Sequence, residues 1–244
     1  MRAAVRVLLA GQFGPVALHY IYRAGGDEKV ESVPSYVYLI RSGTHKILVD
    51  TSFSTPEDVW EERGVKCIRL DSEKLINLLK QAGVMAKEVD ILVYTHLHWD
   101  HAGNTGLFPG ARVICQKKKI DWLANCPSWE SGYDHSTREE IASFGDRLQI
   151  VEGDHQICPD VMLLRLGGHT PGSQAVVVRT EAGKVVIPGD LVNTYENLDR
   201  EVPCGLVHNL DEAWKGISRL FREGDVFLPS HDWKTFTIHG EQWI

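Results

Sequence analysis

The stretch His96-Leu97-His98-Trp99-Asp100-His101, directly after the apolar run Ile91-Leu92-Val93-Tyr94, packs four metal-binding side chains into six residues. They converge only where the chain leaves a strand and curls, because an extended segment throws alternate side chains to opposite faces. His96 and His98 can then share one ion while Asp100 and His101 reach a second. Neutral imidazole and carboxylate suit Zn²⁺ and equally Fe, Mn or Co, and no cysteine in the cluster argues for a soft-ligand site. A chance match to this pattern in one chain has a frequency of roughly 10⁻³, which makes coincidence a poor explanation.

Three single ligand candidates follow, each where a strand-like run meets a turn. His169 lies in Gly167-Gly168-His169-Thr170-Pro171-Gly172, between the apolar segments Val161 to Leu166 and Ala175 to Val178. Asp190 follows Val185-Val186-Ile187-Pro188-Gly189, and His231 follows Val226-Phe227-Leu228-Pro229-Ser230. Ligands at strand ends are well held by the scaffold behind them. The expectation is therefore two divalent metal ions, held by His96, His98, Asp100, His101, His169, Asp190 and His231.

A chain of 244 residues with 43% hydrophobic content can bury a large core, and no linker divides it, so a single domain over residues 1–244 is expected. The net charge of −7 argues against a nucleic-acid partner, which would need a basic patch. The one basic run, Lys117-Lys118-Lys119, reads as the solvated start of a helix. Near the N-terminus the apolar run Val7 to Ala10 is too short for a signal peptide, and no span reaches transmembrane length, so a cytoplasmic location is expected, with no membrane partner. Five cysteines without a C-x-x-C pair read as core or surface thiols.

Periodicity predicts strands over Val5 to Ala10, Val16 to Tyr22, Tyr36 to Arg41, Lys46 to Asp50, Asp90 to Thr95 and Arg112 to Gln116. Further strands are expected at Leu148 to Glu152, Val161 to Leu166, Ala175 to Thr180, Lys184 to Ile187 and Asp225 to Leu228. Helices are expected over Glu73 to Ala82, capped by Asp71 or Ser72, and near Ile120 to Asn125, Thr137 to Phe144 and Leu210 to Phe221. Strand-rich segments with helices interspersed in each half suggest two sheets between outer helix layers.

The H-x-H-x-D-H motif followed by single His, Asp and His resembles the metallo-β-lactamase superfamily over nearly the whole chain. The resemblance implies an α/β fold, a four-layer αββα sandwich with the metals at one edge of the two sheets. It further implies that His96, His98 and His169 bind one metal, that Asp100, His101 and His231 bind the other, and that Asp190 bridges them. Asp50 looks like the superfamily's aspartate that orients a ligand histidine, although the usual following Gly is Ser52 here. The β-lactamases of the family usually lack the bridging carboxylate and are exported.

Thr95 to Gly103, Thr170-Pro171-Gly172-Ser173 and Glu196-Asn197-Leu198-Asp199-Arg200-Glu201-Val202-Pro203 are similar to the N-acyl-homoserine lactonases of the quorum-quenching type. This implies a small-molecule lactone or ester substrate, opened by hydroxide shared between two ions, with Asp100 orienting it and shuttling a proton. That family commonly has a catalytic Tyr three residues after the bridging Asp. Here Asn193 stands there and Tyr195 two residues on, so both are candidates to donate a hydrogen bond to the oxyanion.

Alternatives are a thioesterase of glyoxalase II type or other metallo-hydrolase, an iron-dependent sulfur dioxygenase on the same scaffold, and a silent binding protein, the last weakened because no ligand position is lost. A homodimer is the oligomeric state to test. Trp99 is expected to pack behind the metal loop rather than wall a pocket. Among the remaining histidines (His19, His45, His135, His155, His208, His239), His208 is the one expected to line a substrate pocket.

Overall fold

A computed structural model describes residues 2–240 and 242–244, without the side chain of His135. The first half contributes strands β1 (Ala4–Gly14), the short β2 (Val16–Ala17) and β3 (Lys29–Val30), β4 (Val33–Ser42), β5 (His45–Val49), β6 (Lys66–Ile68), β7 (Ile91–Val93), β8 (Arg112–Gln116) and β9 (Leu148–Val151). The second contributes β10 (His155–Cys158), β11 (Val161–Arg165), β12 (Gln174–Thr180), β13 (Gly183–Ile187) and β14 (Val226–Phe227). They build a seven-stranded sheet in the order β6-β1-β4-β5-β7-β8-β9 and a five-stranded sheet in the order β10-β11-β12-β13-β14. In the first, β5, β7, β8 and β9 run parallel, and in the second β13 pairs parallel with β14.

Central strands read as unbroken apolar runs because both of their faces are covered. Ile47 and Val49 of β5 face the other sheet, meeting a core that includes Leu163, Val176, Val178, Val185 and Ile187. Leu48, one residue out of phase, faces the opposite way onto Leu75, Leu78 and Leu79 of the helix Leu75–Gln81. On the far side, Ala213, Gly216, Ile217 and Leu220 form the buried stripe of the helix Leu210–Glu223, packed on Leu164, Val177 and Val186. Helix, sheet, sheet and helix are thus stacked in four layers, the αββα sandwich.

Two local expectations fail, and one helix was not foreseen. Val16 to Tyr22 is not a strand: only Val16–Ala17 pairs, and Leu18–Ile21 closes one helical turn. Ala17 and Ile21, four residues apart, are the buried pair, a helical spacing hidden in an apolar run. The helix expected from Glu73 is broken at Lys74, which is extended, so a 3₁₀ turn Asp71–Glu73 precedes the helix proper. The helix Pro56–Arg63 was not expected, since Val59 is its one buried residue, yet its signals are present. Thr55 accepts from Asp58 N at 3.1 Å, Pro56 opens the first turn and Gly64 ends it at φ 65°.

Ile47 is fully buried between the sheets. Ile47→Ala should therefore cost about 2–5 kcal/mol, read as a lowered urea midpoint with an unchanged m value.

Candidate metal centre

His98 is the last extended residue before the single helical turn Trp99–Ala102, so the chain bends where the motif demanded it. The bend separates the hexapeptide's side chains into two sets. His96, His98 and His169 bring one ligand atom each within 4.8 Å of one another, and Asp100, His101, Asp190 and His231 do the same. The two sets are not isolated. Asp190 Oδ1 lies 3.0 Å from His101 Nε2 and 3.2 Å from His231 Nε2, while Oδ2 lies 3.8 Å from His96 Nε2 and 3.7 Å from His169 Nε2. One carboxylate thus presents an oxygen to each set.

Each imidazole is held by its other nitrogen, apart from His98. His101 Nδ1 donates to Asp50 Oδ2 at 2.8 Å, His231 Nδ1 to Pro34 O at 2.8 Å, and His169 Nδ1 to Leu206 O at 2.7 Å. His96 Nδ1 meets Thr95 Oγ1 at 3.2 Å, and that hydroxyl donates onward to Asp50 Oδ2 at 2.8 Å. These bonds leave Nε2 of all four facing inward. His98 instead turns Nδ1 to within 3.1 Å of His169 Nε2. Asp50 therefore does what the resemblance implied, and Ser52 fills its glycine-like place at φ 61° with its hydroxyl bonded to Ser35 at 2.8 Å.

The fit to cations is visible in what the site leaves unpaired. His96 Nε2, His101 Nε2 and Asp190 Oδ1 are buried polar atoms without a hydrogen-bond partner, and all three point into the cluster. Burial, reinforced by neighbouring imidazoles, holds His96 and His98 well below the usual histidine range, and burial lowers His169 too. Neutral imidazoles of this kind can each offer a lone pair to an ion. In the other set burial is outweighed: Asp190 and Asp100 hold His101 well above that range, and Asp190 raises His231. The carboxylates diverge. Burial lifts Asp100, with Asp190 adding to it, whereas His101, His231 and His96 overcome burial and keep Asp190 well below the usual carboxylate range.

A cavity of about 990 Å³ opens onto His98, Asp100, His169, Asp190 and His231. Its apolar wall includes Phe13, Tyr20, Trp99, Trp122, Trp129 and Tyr133. Trp99 both packs edge-on against Phe13, at 5.1 Å between centroids, and faces the cavity, so the expectation of packing alone is incomplete. His208 lines the cavity beside Trp122, as expected.

Asn193 and Tyr195 do not present the donors expected of them. Asn193 lines the cavity, but its amide donates to Ile21 O at 2.9 Å. Tyr195 begins the short helix Tyr195–Asp199, which carries its hydroxyl away to Phe227 O at 3.1 Å. Lys119 is a second correction. The helix Lys117–Asn125 starts at the basic run, but Lys119 is buried at 1% exposure rather than solvated. Arg63 was missed altogether: it pairs with Asp134 at 2.5 Å and bonds Ser131 O, tying the segment that carries Tyr133 across the cavity. No residue pattern in the sequence marks either side chain.

A four-layer αββα sandwich with His and Asp clusters at one edge defines a metal-dependent hydrolase. The family model described as the metallo-beta-lactamase superfamily matches residues 31–233, and the chain belongs to that superfamily. It is similar to an N-acyl homoserine lactonase of Bacillus sp, 29% identical over 216 residues covering 82% of each chain. It is also similar to the N-acyl homoserine lactonase AttM of Azorhizobium caulinodans, 26% identical over 180 residues covering 68% of each. Among solved structures, an N-acyl homoserine lactone hydrolase with N-hexanoyl-L-homoserine at its catalytic metal center superposes with a TM-score of 0.84 at 23% identity, covering 100% of both chains. Bacillus thuringiensis AiiA with N-decanoyl-L-homoserine bound gives 0.83 at 24% identity, again covering 100% of both. Among the described residues, no helix is long and apolar enough to cross a membrane.

If Asp190 serves both sets, Asp190→Asn should lower metal content at both. Elemental analysis of protein purified without added metal checks this, and loss of a single ion would contradict the bridge.

Proposed function

We propose that this protein is a lactonase that opens N-acyl-homoserine lactones or similar small cyclic esters at a dinuclear metal centre. The carrying observation is Asp190, whose two oxygens face separate ligand sets. Lactonase relatives and the aromatic-walled cavity support the substrate class. His96, His98 and His169 would hold one ion, Asp100, His101 and His231 the other, and Asp190 both. We assign zinc, with Fe, Mn and Co as competitors, from the imidazole and carboxylate donor set.

When bound, the ions polarise the ester carbonyl and make water nucleophilic at neutral pH. Within the chain, Asp100 Oδ2 lies 3.4 Å from His231 Nε2 on the cavity floor. Facing the cavity, its carboxylate suits a group that takes the proton shed as water attacks and returns it to the departing ring oxygen. The carbonyl carbon gains an oxygen, the ring C–O bond breaks, and the product is the ring-opened acyl-homoserine with its amide intact. Phe13, Trp99, Trp122 and Trp129 offer apolar surface to the acyl chain and orient the ester toward the floor.

Asp100→Asn should lower kcat by at least about 10²-fold, as expected for lost acid–base help; near-normal turnover would remove Asp100 from the mechanism. Because the Tyr195 hydroxyl is engaged by Phe227, Tyr195→Phe should change kcat/KM by less than about 2-fold, under ~0.5 kcal/mol of transition-state binding. A pH-stat panel of lactones, thioesters and phosphodiesters, with oxygen consumption followed in parallel, tests the function itself. Brisk thioester cleavage or oxygen uptake beside idle lactone would replace it with the thioesterase or the dioxygenase.

A further inference from the structure

Lys119 is a buried ammonium with no structural need that the surrounding bonds leave unmet. It is 1% exposed, and its Nζ donates to Tyr94 O at 2.6 Å and Thr95 O at 3.0 Å. Both carbonyls already have a donor: Gln174 Nε2 reaches Tyr94 O at 2.8 Å, and Gln174 N reaches Thr95 O at 3.0 Å. Lys117 and Lys118 pair with Asp121 and Glu212 at the surface, whereas Lys119 has no such partner among the described residues. Burial pushes its ammonium down to about 8. Burying a cation against two carbonyls that already have partners is expensive, so the geometry it enforces deserves a reason.

The reason lies in what Lys119 touches on each side. Its ammonium grips Tyr94 and Thr95, the two residues between β7 and His96. Its backbone lies beneath the turn that carries His169, so close that a Cβ on Gly172 would stand 2.6 Å from Lys119 N. Gly172 sits at φ +75°, a conformation that favours glycine. A single residue therefore meets both segments that supply the three-histidine set, the His96 loop and the His169 turn, whereas of the other set only Asp100 and His101 share the loop it grips and Asp190 and His231 come from other segments.

We propose that Lys119 is a positioning residue for the three-histidine metal site, holding the His96 strand end and the His169 turn at coordinating distance. The proposal rests on the two-site reading above but not on lactone turnover. Partners that orient metal ligands typically change affinity by about 10–100-fold when removed. The test is competitive titration of metal-stripped protein with Co²⁺ against a chromophoric chelator, which gives stepwise affinities and site-specific absorption, together with circular dichroism of the stripped protein.

Lys119→Met should fold, since Gln174 keeps both carbonyls occupied, and should weaken the three-histidine site by about 10-fold or more while weakening the other site, which shares only one of the two segments, by clearly less. Gly172→Ala, which pushes the turn off Lys119, should show the same selectivity, and Lys118→Met should show no loss. Unchanged affinities, equal weakening of both sites, or a Lys119→Met chain that is unfolded when stripped would each overturn the proposal, the last by assigning Lys119 to the fold. Selective loss in a protein that fails to open lactones would sink the lactonase reading and leave this one standing.

Discussion

The carboxylate of Asp50 is the contact on which the rest of the centre depends. It is 1% exposed, yet it accepts from Thr95 N at 2.7 Å, from Thr95 Oγ1 at 2.8 Å and from His101 Nδ1 at 2.8 Å. A buried charge is tolerable when it is so fully bonded, and removing its partners would leave it uncompensated. Because Thr95 hands on to His96, one side chain aligns an imidazole from each ligand set. The backbone accommodates this at φ 62° for Asp50 and 61° for Ser52, a left-handed pair that turns the chain from β5 back over the site. Arg69 closes the same turn from outside, donating to Ser52 Oγ at 2.9 Å and Phe53 O at 2.8 Å.

Much of this was legible in the residues because the signals were local. Apolar runs bounded by turn residues gave β5, β12 and β13 to within a residue and β4 but for its first three residues, and the ligand motif announced its own bend. What was not legible depended on tertiary neighbours. A surface helix such as Pro56–Arg63 buries one residue and so lacks an apolar period, leaving its caps as the sole signal. Lys119 is indistinguishable in sequence from Lys117 and Lys118, and its burial follows from helix phase and the turn above it. The direction of Tyr195 was set by Asp232, which accepts from Tyr195 N at 2.9 Å and fixes the start of its helix. Spacing from Asp190 carries no information about that contact.

The two carboxylates among the ligands start from the same chemistry and end with opposite proton affinities. Three imidazoles surround Asp190 and keep it ionised, as a group shared between cations must be. Asp100, buried as deeply, stands farther from His101 at 3.7 Å and next to the charge of Asp190, so without an ion burial prevails and its proton affinity rises. An ion held by Asp100, His101 and His231 would keep Asp100 ionised as well, so the divergence belongs to the protein without its ions. The two positions are nonetheless unequal to mutation: an amide at 190 removes a charge shared by both sets, while one at 100 removes a ligand of a single set together with its proton acceptor.

Sheet topology explains why such distant residues meet at one edge. Parallel pairing of β5 with β7 puts Asp50 beside the loop that carries His96, both at the C-terminal ends of their strands. Parallel pairing of β13 with β14 does the same in the second sheet, bringing Asp190 beside Ser230 and His231, where His231 N donates to Asn193 O at 2.8 Å. The runs Ile47-Leu48-Val49-Asp50 and Val185-Val186-Ile187-Pro188-Gly189-Asp190 therefore share a logic. Each is a strand buried on both faces that delivers an aspartate to the common edge. A hairpin could not do this, because antiparallel neighbours place their C-terminal ends on opposite edges. The crossovers required by parallel strands leave room for the outer helices, including the one whose first turn buries Lys119 beneath the site.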